Sequence, residues 1–212
     1  MIAFFDVDHT LLRGSSARHF LLAGIRRRLF PLRSLWIMPR LYLRFWGGRL
    51  QADSVAWELP LLAGLTRGKL EELAEESFAA LRRNLRPGAA ELVAGLQAQG
   101  RQVVFATTSL DLVVAPLARH LGVAEVVATR LQFSGGLATG RFEGLPLLRE
   151  EKKRRVLEFL RARGERPEGC SFYTDSHLDL PLLESVGEPV VVNPDARLRR
   201  TARQRGWSVL RL

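Results

Sequence analysis

Short apolar runs alternate along this chain with longer stretches whose apolar positions recur at helical spacing. Ile2-Ala3-Phe4-Phe5 reads as a first buried strand, closed by the polar sequence Asp6-Val7-Asp8-His9-Thr10. Gln102-Val103-Val104-Phe105-Ala106, between Gly100 and Thr107-Thr108-Ser109, reads as a second. Val126-Val127-Ala128, Ser171-Phe172-Tyr173 and Pro189-Val190-Val191-Val192 follow as further core strands. Between them the spacing predicts helices over 89–99, after Pro87-Gly88, over 112–121, before Gly122, and over 150–163, before Gly164. Leu131-Gln132-Phe133 and Ala138-Thr139-Gly140-Arg141-Phe142 flank Ser134-Gly135-Gly136 as a hairpin. The alternation predicts an α/β fold, a mainly parallel sheet with helices on both faces and its site at the strands' carboxyl ends.

Residues 15–85 break the pattern. They carry no convincing strand and fall between the first and second core strands, so they read as a helical cap inserted over the site. The expected division is a core of 1–14 and 86–212 with a cap of 15–85. The charge balance sharpens this picture. The net charge is +10, yet from His9 to Ala52 there is no acid and there are nine arginines: Arg13, Arg18, Arg26, Arg27, Arg28, Arg33, Arg40, Arg44 and Arg49. That segment carries +9 and leaves +1 for the rest, so one element is built to meet something anionic. Its arginines interleave with Leu29-Phe30, Leu35-Trp36-Ile37-Met38, Leu41-Tyr42-Leu43 and Phe45-Trp46. Such a segment packs on the core with its arginines in water, touches an anionic membrane through residues 18–49, pairs with a second copy, or stacks nucleic-acid bases on Trp36, Tyr42 and Trp46. Core packing and lipid contact are preferred over nucleic acid.

A hydrophobic content of 47% suffices for a core in a chain of 212 residues. The single cysteine, Cys170, excludes an intramolecular disulfide and fits a reducing compartment. Asp6 interrupts the N-terminal apolar run too early for a signal peptide, and no stretch approaches the ~20 apolar residues of a membrane span. The expected location is the cytoplasm, with peripheral visits to the inner membrane face.

Four polar clusters carry the candidate chemistry. Asp6 and Asp8 lie two apart at a strand end, where alternation sends both carboxylates one way. Such a pair can hold a divalent cation while one carboxylate attacks and the other handles protons. Thr107-Thr108-Ser109, leading from a strand into a helix, offers hydroxyls and N–H groups as a phosphate cradle, or as a helix cap. Lys152-Lys153 opens a helix in a chain with 32 basic residues but only three lysines, which suggests a demand for a compact ammonium. Asp175 and Asp179 are four apart and share one face if a helix starts there.

These clusters, in this order, resemble the motifs of the haloacid-dehalogenase superfamily, in its phosphoserine-phosphatase-like branch with a helical cap. Asp6-x-Asp8-x-Thr10, Thr107, Lys152 (with Lys153 as fallback) and Asp175-x-x-x-Asp179 are the matching positions, and the tail Val191-Val192-Asn193-Pro194-Asp195-Ala196-Arg197-Leu198 with Gly206-Trp207 is similar as well. The resemblance implies a Rossmann-like core and a Mg²⁺-dependent phosphomonoesterase. It implies that Asp6 attacks phosphorus and binds the metal, that Asp8 serves as acid and base and lends the metal its carbonyl, and that Asp175 is the further metal ligand. It implies phosphoryl contacts from Thr107, the Thr108 N–H and Lys152, with Asp179 fixing Lys152 or the metal's waters and Thr10 in support.

The chain departs from that branch at two positions. Where phosphoserine phosphatases carry a glutamate after the first motif and an arginine in the cap, the alignment places Ser15 and Glu58. One charge is lost and the other reversed, so a zwitterion meets no ammonium partner and a repelled carboxylate. The expected substrate is therefore a phosphomonoester other than phosphoserine, with amphiphilic or lipid phosphates favoured by the cap. Phosphoserine is the alternative, and an inactive basic module that binds membrane or nucleic acid is the rival of another class.

Overall fold

The computed structural model describes residues 1–36 and 58–212; Ile37 to Trp57, with Arg40, Arg44 and Arg49 and the aromatic residues Tyr42, Phe45 and Trp46 of the basic run, lie outside the described residues. The strands are β1 (Ile2–Phe5), β2 (Gln102–Leu110), β3 (Glu125–Thr129), β4 (Leu131–Ser134), β5 (Leu137–Phe142), β6 (Ser171–Thr174), β7 (Glu188–Val192) and β8 (Ser208–Leu210). Six of them form one parallel sheet in the order β3-β2-β1-β6-β7-β8. β1 sits centrally, pairing Ile2 with Gln102 on one side and Ala3 with Ser171 on the other. The chain order reverses at β1, which opens a crevice at the carboxyl end of that strand.

Both faces of β1 are covered, as its unbroken apolar run demands. Ala3, Phe5 and Val7 enter a cluster with Val93, Phe105, Leu117 and Tyr173, under α3 (Ala89–Ala98) and α4 (Asp111–His120). Ile2 and Phe4 enter another with Val156, Leu160, Leu182 and Leu198, under α5 (Glu150–Arg161), α6 (Leu180–Leu183) and α7 (Ala196–Arg205). Phe5 stacks on Tyr173 with ring centroids 4.2 Å apart and planes 5° from parallel. Such a pair adds about 0.5–1.5 kcal/mol beyond the area it buries. It locks β1 to β6 directly beneath the crevice.

Between β1 and β2 lie α1 (Ser16–Arg26) and α2 (Arg67–Arg83). Phe20, Phe30, Leu62, Leu70 and Leu73 form a third cluster there with Leu112 and Val113 of α4 and with Leu131 and Ala138 of the β4-β5 hairpin. The hairpin turns through Gly135 and Gly136 at φ 56° and 78°, where a glycine carries no steric penalty. It also pairs with the insertion, at Glu58–Arg141 and Thr66–Leu137, while Leu12–Leu85 closes the base of the insertion.

The elements differ from the sequence reading in three places. β2 continues through Thr107-Thr108-Ser109 to Leu110, with a register shift there, so α4 starts at Asp111. The hydroxyl cluster is thus a bulged strand end rather than a helix start. Asp175 opens no α-helix: a 3₁₀ turn, His177–Asp179, precedes α6. β8 was not anticipated, because it is a three-residue edge strand whose Val209 is 45% exposed and lacks the signature of a buried run. Cys170 is buried, as a small hydrophobe, and burial pushes its thiol pKa up. Among the described residues no helix is long and apolar enough to cross a membrane.

One glycine fixes how closely the β7 entry packs. A Cβ at Gly187 would fall 1.9 Å from the Glu168 carbonyl oxygen. Gly187→Ala should therefore cost about 1–3 kcal/mol by overpacking, read as a lower midpoint in denaturant, with kcat kept because the crevice lies at the opposite end of the strands.

Candidate active site

Asp6 leaves β1 with its N–H still donating to the Tyr173 carbonyl at 2.9 Å, so the sheet fixes its backbone. Lys152 Nζ lies 3.0 Å from Asp6 Oδ1 and 2.8 Å from Asp179 Oδ2, and the Thr174 hydroxyl donates to the same Asp179 oxygen at 2.7 Å. Lys152 sits on the first turn of α5, in line with Val156 and Leu160, and the apolar face that docks the helix carries the ammonium inward to 2% exposure. Lys153 is half-buried on the neighbouring face and makes no bond to these carboxylates. Burial alone would discharge Lys152, but Asp179 and Asp6 outweigh it and raise its pKa above the ordinary value.

The other Asp6 oxygen faces Asp175. The Thr10 hydroxyl lies 2.9 Å from Asp175 Oδ1 and 3.3 Å from Asp6 Oδ2, and it accepts the Asp175 N–H at 3.0 Å. Asp175 and Asp179 therefore do not share a face: one turns to Thr10, the other to Lys152. Burial, with Asp6 nearby, raises the Asp175 carboxyl to about 8. Burial lifts Asp6 to about 7 although Lys152 opposes it, and Asp179 and Asp8 add to the rise.

Asp8 diverges from Asp6, because β1 ends at Phe5 and residues 8–10 form a turn. Its Oδ1 accepts the Ser16 N–H at 2.8 Å, and its Oδ2 accepts Ser109 Oγ at 2.9 Å and Ser15 Oγ at 3.3 Å. The His9 carbonyl is held by Arg86 at 3.0 and 3.1 Å. Phe5 pairs with Phe105, so Thr107 lies beside this turn; it is 1% exposed and its hydroxyl accepts the Ser109 N–H at 3.2 Å. The Thr108 side chain points away, to the Leu147 carbonyl at 2.6 Å, and its own carbonyl accepts the Thr129 hydroxyl at 2.7 Å.

Of the two expected cap contacts, Ser15 stands at Asp8, but Glu58 does not join it. Arg141 Nε donates to Glu58 Oε1 at 2.9 Å, since the hairpin bridge brings residues 58 and 141 together. The reversed charge at Glu58 is thus neutralised, which removes the repulsion expected from it. Within the basic segment Arg27 likewise pairs with Glu76 of α2, so that run is not free of counter-charges.

Sequence reasoning missed Ser16, Thr174 and Arg86, and it named Asp195 only within the family-like tail, without a role. Asp195 accepts the His177 N–H and sits against His177 Nδ1, both at 2.8 Å, while its own N–H donates to the Asp175 carbonyl at 2.9 Å. It also caps α7 through Leu198 N–H, at 2.8 Å. No local signal marks Ser16, Thr174 or Arg86, because each acts across a distance in sequence. Ser109 stood inside a recognised cluster without a role of its own.

The comparisons agree with the geometry. The sequence model of the haloacid dehalogenase-like hydrolases matches residues 3–184. The chain belongs to that family. A histidinol-phosphatase of Neisseria meningitidis is 31% identical over 216 residues, spanning 99% of this chain and 97% of that protein. Phosphoserine phosphatase SerB1 of Mycobacterium tuberculosis is 33% identical over 213 residues, 98% of this chain and 69% of its own. A Bordetella pertussis protein of unknown function superposes with a TM-score of 0.87 at 36% identity, covering 99% and 97% of the two chains. A substrate-bound phosphoserine phosphatase shares the fold, with a TM-score of 0.66 at 20% identity over 99% of this chain and 91% of that one. This haloacid dehalogenase-like hydrolase is a phosphomonoester hydrolase.

Its carboxylates make stability depend on pH. Asp6 at about 7 and Asp175 at about 8 hold protons in the folded protein that the unfolded chain releases near 3.8. Between those values the folded state binds more protons, so stability falls as pH rises through them. The melting temperature of metal-free protein should decline from about pH 5 to about pH 8, and Asp175→Asn should flatten the decline.

Proposed function

We propose that this phosphatase works through an aspartyl-phosphate on Asp6, with Mg²⁺ as its resident cation. The observation that carries the reading is Lys152, an ammonium 2% exposed and held between Asp6 at 3.0 Å and Asp179 at 2.8 Å. It fixes one Asp6 oxygen and leaves the other facing Thr10 and Asp175. Asp8, Asp175 and Asp179 all lie within electrostatic reach of Asp6, against which Lys152 sets a single bonded ammonium. That excess repels a phosphate dianion unless a cation joins the site.

The donor set suits Mg²⁺. Two carboxylates, Asp6 and Asp175, come together at the Thr10 hydroxyl, 3.3 and 2.9 Å from it. Mg²⁺ commonly uses one or two carboxylates and keeps several waters. Asp6, Asp175 and the Asp8 carbonyl would hold it, and it would supply charge neutralisation between nucleophile and phosphate. Asp6 attacks phosphorus, and the departing alkoxide takes its proton from Asp8. Asp8 then draws a proton from water, whose oxygen attacks the aspartyl-phosphate and frees Asp6. Lys152, the Thr107 hydroxyl and the Thr108 N–H hold the phosphoryl oxygens, and phosphoryl transfer depends on such positioning. Residues 15–85 act as the cap that selects the substrate.

The favoured substrate is a small amino-alcohol phosphate such as histidinol phosphate. Its relative of matching length carries that name. An amino alcohol has no carboxylate and so needs no cationic cap partner, and Glu58 supplies none. The negative surplus around Asp6 favours its ammonium. Lipid phosphate is the second reading, supported by Leu32 and Trp36, 69% and 72% exposed beside Arg26, Arg27 and Arg28.

Asp6→Asn should abolish turnover of para-nitrophenyl phosphate while the melting temperature persists, and EDTA should silence the wild type until Mg²⁺ returns. Retained turnover in that variant rules out the nucleophile. A panel of histidinol phosphate, phosphoserine and lysophosphatidate, ranked by kcat/KM, tests the substrate. Histidinol phosphate should lead by at least about tenfold, as the unpaired carboxylate of phosphoserine costs at least ~1.4 kcal/mol. Phosphoserine or lysophosphatidate leading would return the assignment to the corresponding reading.

A further inference from the structure

The turn that carries Asp8 meets α1 in an unusual way. α1 spans eleven residues, its Ser15 makes no side-chain bond to the helix's own amides, and its first turn holds no acid. The amide at its start donates instead to Asp8, a core residue, at 2.8 Å. The helix's partial positive charge thus falls on the carboxylate assigned to proton transfer. At the other oxygen of Asp8 two hydroxyls meet, Ser109 as the nearer and Ser15 at 3.3 Å, and Ser16 stands behind Ser109. Ser109 Oγ is 2.9 Å from Asp8 Oδ2, and Ser16 Oγ is 2.7 Å from Ser109 Oγ. Ser16 is fully buried, and the Ser109 backbone is held by Thr107.

We propose that Ser109 and Ser16 are positioning residues that hold the Asp8 carboxyl for proton transfer, directing the mobile proton to Oδ2. The inference rests on the acid–base role given to Asp8 above. A backbone amide can only donate, so Oδ1, which takes the Ser16 N–H, stays an acceptor in both protonation states. A hydroxyl donates or accepts. With Asp8 ionised, Ser16 donates to Ser109 and Ser109 donates to Oδ2. With Asp8 protonated, the Oδ2 proton passes to the leaving oxygen, the O–H bond breaks, and Ser109 closes again on the carboxylate. Water's proton later restores Oδ2–H, so the cycle balances without a further acid. Because Ser16 belongs to α1 and Ser109 to β2, the geometry of the acid depends on α1 being seated.

Leaving groups separate this role from general stability. A phenolate as basic as that of phenyl phosphate needs the proton more than the weakly basic para-nitrophenolate. kcat/KM reports the first irreversible step, formation of the aspartyl-phosphate. Ser109→Ala should lower kcat/KM for phenyl phosphate by about tenfold while para-nitrophenyl phosphate loses less than about threefold, since general acid help is worth ~10²–10⁴ in all. Ser109→Thr should restore the wild-type ratio, and Ser16→Ala should follow Ser109→Ala. If Ser16→Ala does not fold, Ser109→Ala decides alone. Equal losses on both substrates, or no loss on either, overturn the proposal. Asp8→Ala sets the reference. If it keeps the wild-type ratio, the acid–base reading of Asp8 fails and this inference with it. If it shifts the ratio and Ser109→Ala does not, only the positioning role fails.

Discussion

A buried ammonium between two carboxylates is the constraint around which the site is arranged. Lys152 has left water, and an ion in that position is tolerated only when its partners stay within hydrogen-bond reach. Asp6 comes from the end of β1, Asp179 from the turn after β6 and Lys152 from α5, so three separate elements must arrive together. Any shear between α5 and the sheet opens an uncompensated charge. The packing of Val156 and Leu160 against Phe4 and Phe172 therefore positions the chemistry as well as filling the core.

Around this triplet the carboxylates divide the work by neighbour. Asp6 is held by an ammonium, Asp175 by a hydroxyl and its own loop, Asp179 by Lys152 and Thr174, and Asp8 by a helix start and serines. Four residues of one type thus occupy four environments. The loop of Asp175 is tied in turn to α7 through Asp195, which makes the far helix part of the site's frame.

Much of this was legible in the chain. The run Ile2–Phe5 gave a buried central strand because both of its faces are covered, and the order of Asp6, Thr107, Lys152 and Asp175 pointed to one site. The choice of Lys152 over Lys153 was hard to make from sequence, since it depends on which face of α5 carries Val156 and Leu160 inward. Local reasoning failed where partners are distant. The shared direction assumed for Asp6 and Asp8 ignored the turn at 8–10, and the charge at Glu58 could not be weighed without Arg141, which a hairpin supplies. Ser16 drew no notice because its value lies wholly in what it touches.

The placement of β1 has a consequence for how the protein is made. The strand that leads into Asp6 leaves the ribosome well before its neighbours, which are Gln102–Phe105 on one side and Ser171–Tyr173 on the other. Its backbone groups cannot all be paired until Ser171–Tyr173 has appeared, about 170 residues later. Pairings this remote must overcome the entropy of closing long loops before they return any stability, which slows assembly. The strand that leads into Asp6, made before either neighbour, is thus among the last elements to gain both of them, and an unfinished chain exposes it as an apolar ribbon open to wrong partners.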